Sequence, residues 1–113
     1  MVAGGHGNEQ REALGLELRR GVLVLAVLSQ LREEQYGYSL KKALSARGLE
    51  IDEGTLYPLM RRLEGQGLLR SRWRVEDSRP RRYYRTSAQG EQVLKGLEAD
   101  WQQLSRAMER VLK

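Results

Sequence analysis

The hydrophobic period of this chain changes across a pair of glycines, and no other feature restricts its fold as much. In GTLYPLMRRLEGQG (Gly54–Gly67), Leu56, Leu59, Met60 and Leu63 recur at helical spacing and cluster within about a quarter-turn. After Gly65 and Gly67 the spacing drops to two: Leu69, Ser71, Trp73 and Val75 alternate with Arg70, Arg72 and Arg74, as in a half-exposed strand. A polar turn, EDSRP, and the run RRYYR (Arg81–Arg85) then read as the returning strand of a hairpin. Upstream, Leu40, Ala43 and Leu44 predict a helix over Tyr38–Arg47, and Gly48 stands where a helix C′ residue belongs. Asp52 is placed to cap the next helix, with Ile51 and Leu56 at the spacing of a hydrophobic staple. Two helices joined by a tight turn and followed by a two-stranded ribbon form a winged helix-turn-helix, so the expected class is mainly α with a small β-hairpin.

Helices are expected on both sides of this unit. From Glu9 to Glu34, Leu14, Leu18, Val22, Leu25 and Leu28 follow helical spacing, while Leu23, Val24 and Val27 make the middle apolar all round. A helix apolar on every face needs cover on every face, so part of that cover is expected from a second subunit. The glycine-rich start, Met1–Asn8, is expected to be a disordered arm, with His6 inert within it. A last helix is expected from about Thr86, with Thr86 and Gln89 as a capping box. Its residues Leu94, Leu97, Trp101, Leu104, Met108 and Val111 make an unbroken seam of the coiled-coil kind, which predicts a dimerising helix. The expected organisation is therefore an arm over 1–8, a winged helix-turn-helix over 9–86 and a dimerisation helix over 87–113.

Charge points to the partner. The formal net charge is +5, and all of it lies between Glu53 and Arg85, where nine arginines face four acids. Concentrated excess of this kind favours a polyanion-facing surface. On the helix wheel the side opposite the leucines carries Gly54, Tyr57, Pro58 and Arg61, with Thr55 and Arg62 on a flank. Glycine and proline there permit close approach by a flat surface, and the first helical turn offers unpaired N–H groups to phosphate. Thr55 and Tyr57 can donate hydroxyl hydrogen bonds, and Arg61 or Arg62 can pair with guanine or phosphate. Arg79, Arg81 and Arg82 on the ribbon offer a second contact to double-stranded DNA. Trp73, Tyr83 and Tyr84 are expected to hold the hairpin onto the helices, with stacking on single strands as the alternative.

Other classes fit poorly. The expected fold has no histidine or cysteine to act as nucleophile, base or metal ligand, and no cofactor is expected. The apolar run Val22–Leu28 is far shorter than the ~20 residues that span a bilayer. Without a charged segment and apolar stretch at its start, the chain is expected in the cytoplasm. The remaining alternative is a helical protein-interaction module without DNA binding.

The stretches YGYSLKKAL (Tyr36–Leu44), GTLYPLMRRLEGQGLL (Gly54–Leu69) and RRYYR, with the late Trp101, resemble the PadR family of bacterial winged-helix transcriptional regulators. The resemblance spans about Leu18 to Trp101 and the length is similar to that of the short subfamily. It implies a homodimer on a palindromic operator, usually a repressor, joined by the last helix with help from Leu18 and Val22 on the first. Tyr36, Tyr38, Thr55, Tyr57 and Arg61 fall at family positions tied to DNA contact or to holding the helix-turn-helix. Trp101 falls at the interface tryptophan, which in some members borders a pocket for a small aromatic effector. Asp52 where the family has Ser, and EDSRP where its wing is often glycine-rich, are departures.

Overall fold

The structure, a computed structural model, describes residues 3–113. Its elements are α1 (Ala3–Gln30), β1 (Gln35–Tyr36), α2 (Gly37–Ala46), α3 (Glu53–Gly65), β2 (Leu69–Glu76), β3 (Arg79–Thr86) and α4 (Ala88–Val111). The strands form one antiparallel sheet in the order β1-β3-β2. This is the expected class, four helices with a winged helix-turn-helix.

Helices α2 and α3 stop by the same device. Gly48 (φ 91°) and Gly67 (φ 79°) take the left-handed backbone that glycine adopts without strain. Behind each, the chain closes a Schellman pair. Leu49 N–H bonds Leu44 O and Gly48 N–H bonds Ser45 O, while Leu68 N–H bonds Leu63 O and Gly67 N–H bonds Glu64 O. The first stop turns α2 into α3; the second turns α3 into the ribbon.

One core then joins every helix. Val27, Leu28 and Leu31 meet Leu40, Leu56, Met60 and Leu63, with Leu69 and Tyr84 from the sheet and Leu94 from α4. The β3–α4 junction pins it. Thr86 donates its hydroxyl to Leu28 O and its N–H to Leu31 O, and Ser87 bonds Gly67 O and Leu68 O.

Several boundaries differ from expectation. α1 already begins at Ala3, where a loose arm was expected; Met1 and Val2 lie outside the described residues. Extending a helix already held by a core gains a bond per residue, which offsets glycine's cost. At its other end α1 stops at Gln30 rather than Glu34, because Gln35 and Tyr36 pair with Tyr84 and Tyr83 as a third strand. Asp52 occupies the N-cap position of α3, but its carboxylate accepts a hydrogen bond from the Thr55 hydroxyl instead of from a backbone N–H. The cap of α4 is Ser87, one residue later than expected, with its hydroxyl accepting from Gly90 N–H.

The ribbon turn is also tighter than EDSRP suggested. Asp77 (φ 50°) and Ser78 (φ 62°) alone make it, both in the left-handed region, as a two-residue hairpin of the primed type requires. Glu76–Arg79 and Val75–Pro80 are already cross-strand pairs. Beyond the reach of β1, the outer side of β3 has no partner strand among the described residues, so Pro80 sits where a missing N–H breaks no ladder.

Candidate nucleic-acid interface

Helix α3 buries Leu56, Leu59, Met60 and Leu63 and leaves Gly54, Pro58, Arg61 and Arg62 exposed, as the leucine stripe dictates. Pro58 lies inside the helix, where it lacks the N–H that would bond Gly54. Tyr57 and Thr55 are half-buried. Tyr57 lays its ring over the start of α2: a Cβ on Gly37 would come within 2.8 Å of it. Burial pushes the Tyr57 hydroxyl up, and the neighbouring Glu53 carboxylate adds to the effect. Thr55 donates its hydroxyl to Asp52 at 2.9 Å, which lowers the Asp52 carboxyl, with Lys41 adding a smaller pull.

Tyr57 and Arg61 face the ribbon across a groove of about 410 Å³, which Tyr36, Tyr38, Arg81 and Arg82 also line. These six expected site residues come together. Thr55, Pro58 and Arg62 do not join them. They line a second groove of about 310 Å³, between α3 and α1, beside Arg20. Arg79 stands exposed at the ribbon's end.

The arginines differ in how far they are already neutralised. Arg72 grips Glu34 with two bonds, of 2.9 and 2.8 Å, and Arg74 reaches the same carboxylate at 3.4 Å. Arg72's hydrogen bond holds the Glu34 carboxyl below its usual range. Arg82 meets Glu64 at 2.7 Å and donates to Ser71, which itself bonds Glu64. Among the described residues, Arg61, Arg62, Arg70, Arg79, Arg81 and Arg85 have no carboxylate within ion-pair distance. Arg81 instead lies over the Tyr36 ring, 4.6 Å from its centre. Free cations and half-buried aromatics along one groove make a surface that attracts a polyanion and offers it flat contacts.

Residues 24–96 match the Transcriptional regulator PadR-like family. The chain belongs to that family. A PadR family transcriptional regulator from Eggerthella lenta has the same fold with a TM-score of 0.89 and 50% identity, each chain covered to 96%. The transcriptional regulator Rv3488 of Mycobacterium tuberculosis is 40% identical over 79 residues, 69% of this chain and 74% of its own length. A PadR-like regulator from Bacillus cereus, 27% identical, gives a TM-score of 0.77 over 86% of this chain and 97% of its own.

In this PadR-like regulator the seam of α4 divides. Leu94 is fully buried in the chain's own core, so it belongs to the body rather than to a face open to a partner. Leu97 is half-buried, and Trp101, Leu104, Met108 and Val111 are exposed. On α1, Leu18 is exposed and Val22 half-buried. Val22, Leu25 and Trp101 line a groove of about 460 Å³ between α1 and α4. Of the ribbon aromatics, Tyr84 holds the hairpin onto the helical core as expected. Tyr83, on the opposite side, is equally buried but packs against Tyr36 of β1 and Arg74, and Trp73 is 65% exposed. Trp73 faces the open groove whose other wall is Tyr57, Met60 and Arg61 of α3, and no described residue closes over it.

Three features escaped the sequence reading. Strand β1 is too short for any period to reveal. Gly37 marks the seat of Tyr57, which no spacing encodes. The partnership of Glu34 with Arg72 and Arg74 has a signal only in the alternating arginines, whose like charges need an acid nearby. Among the described residues no helix is long and apolar enough to cross a membrane, and no group of acids or histidine is placed to hold a metal ion.

Proposed function

We propose that two copies of this PadR-like regulator pair through their last helices and bind a palindromic operator as a repressor. One observation carries the DNA-facing part: Tyr57 and the unpaired Arg61 of α3 share a groove with Arg81 and the tyrosines of α2 and the ribbon. In this reading α3 enters the major groove, and Arg61 reads a base or a phosphate. Arg79 and Arg81 approach the adjacent backbone. Tyr36, Tyr38 and Tyr57 shape the groove, while Thr55, Pro58 and Arg62 face the flank beside α1. Pairing is supported by the exposed run Trp101, Leu104, Met108 and Val111, which no part of the described chain covers. A dimer that sets two α3 helices roughly 34 Å apart meets successive major grooves on one side of the duplex.

Selection of bound duplexes from a random pool tests this directly. The expected product is a palindrome with half-sites about 10 bp apart and binding that weakens steeply with salt, by a log–log slope near −0.9 per phosphate. Arg61→Ala is expected to relax or weaken that binding by about 1–3 kcal/mol. Salt-insensitive behaviour or no enrichment would instead favour a protein-interaction module. The groove beside Trp101 supports a second element, a planar aromatic effector held between α1 and α4 that changes the spacing of the two copies. Quenching of Trp101 emission by planar aromatics, abolished in Trp101→Ala, is the expected result; absence of quenching removes the effector from the scheme.

A further inference from the structure

The two sides of the ribbon are chemically unlike. Cross-strand register puts Arg70 opposite Arg85, Arg72 opposite Tyr83 and Arg74 opposite Arg81 on one side. The other side carries Leu69 opposite Thr86, Ser71 opposite Tyr84, Trp73 opposite Arg82 and Val75 opposite Pro80. Near the body this second side is core, with Leu69, Tyr84 and Thr86 buried. Further out the same side stays apolar but loses its cover: Trp73 is 65% and Val75 73% exposed, and Pro80 is exposed too. Trp73 looks into the groove that holds Tyr57 and Arg61.

Arg82 underlies this ridge. Its guanidinium lies 5.9 Å from the centre of the Trp73 ring and 5.5 Å from that of Tyr84. Glu64 and Ser71 hold it in place and offset its charge. An arginine paired with Glu64 and set against an exposed indole has less charge to offer phosphate and serves as a shelf for that indole.

We infer that Trp73, with Val75 and Pro80, is a non-ionic contact for the sugar and base edges of the DNA minor groove, beside the stretch that α3 enters, and that Arg82 positions Trp73 for it. The inference rests on the DNA-binding reading above. The occupant follows from charge: the ridge lies in the one third of the chain that holds the whole positive excess, and Trp73 shares its groove with Arg61 and Arg81. A polyanion drawn there presents apolar surface only inside its grooves, where apolar wedges are known to seat.

The test separates ionic from apolar contact on the full chain, with a short mixed-sequence duplex titrated over a range of KCl. Trp73→Ala is expected to weaken binding about tenfold at every salt, or ~1.4 kcal/mol, with an unchanged log–log slope. Arg61→Ala is expected to flatten that slope by about 0.9, since a charge is lost. Fluorine NMR of protein labelled with fluorotryptophan reads the site itself. The signal absent in Trp73→Ala should shift on adding duplex and stay fixed when protein alone is concentrated. Affinity unchanged in Trp73→Ala, or a Trp73 signal indifferent to duplex, overturns the inference while leaving the regulator reading intact. A Trp73 signal that moves with protein concentration makes the ridge a contact between copies; one that moves only with single strands makes it a stacking platform. Loss of all salt-dependent duplex binding in the unaltered protein overturns both readings.

Discussion

The ribbon and α4 each leave the body half-way along, and in each the inner and outer halves follow the same pattern with opposite burial. In α4, Leu94 is sealed in the core while Leu104 and Val111 stand 55% and 69% exposed. In the ribbon, Leu69 is 2% exposed and Val75, on the same side of the same strand, 73%. Periodicity states which side of an element is apolar. It says nothing about whether that side finds its cover in the same chain, a second copy or a ligand.

The largest expected effect tests the inner half. Leu94→Ala should cost about 2–5 kcal/mol of unfolding free energy, read by urea denaturation, because it empties a filled site shared by α4 and α1. The outer half should answer differently. Leu104→Ala with Met108→Ala is expected to dissociate the pair in sedimentation and to abolish the concentration dependence of Tm. The denaturant slope of the separated body should stay the same, since both residues are already exposed. Should that double variant lower the stability of a chain that remains monomeric throughout, the outer seam has an intramolecular role and the comparison fails.

Smaller effects come from the ribbon. Asp77→Asn with Ser78→Gly should stabilise by roughly 0.5–1 kcal/mol, as residues that accept the left-handed backbone replace two that strain in it. Near-neutral thermal shifts would mean the turn relaxes freely. The smallest effect is one of pH. Arg72 lowers the folded Glu34 carboxyl, so that contribution to stability is present above the unfolded value near 4.5 and is lost as pH falls through the lower folded one. Glu34→Gln should therefore flatten the acid limb of the stability profile below about pH 5, by removing a small contribution at neutral pH and changing little at acid pH, where Glu34 is already protonated. An unchanged acid limb would show that Arg72 and Arg74 do not hold Glu34 in solution.

Much of the fold was legible because local chemistry enforces it. Gly48 and Gly67 must end helices where the backbone turns left-handed, and the leucines of α3 must face inward whatever the rest of the chain does. The groove was legible only in part. Tyr57 and Arg61 belong together on any helix wheel, yet Arg82 reads as another free cation. Only the meeting of Glu64, Ser71 and Arg82, from α3, β2 and β3, turns it into a support. Trp73 differs from expectation for a related reason: a large aromatic is usually covered, and its exposure depends on the open groove left between the ribbon and α3.

By itself the sequence determined the order of the four helices and the hairpin, the glycine stops of α2 and α3 and the segment holding the excess charge, because these follow from backbone sterics, side-chain period and composition. The tertiary structure alone decided which arginines keep their charge, which apolar residues stay uncovered and which side chains share the groove. Those depend on distances between residues far apart in the chain, and no local interaction sets them.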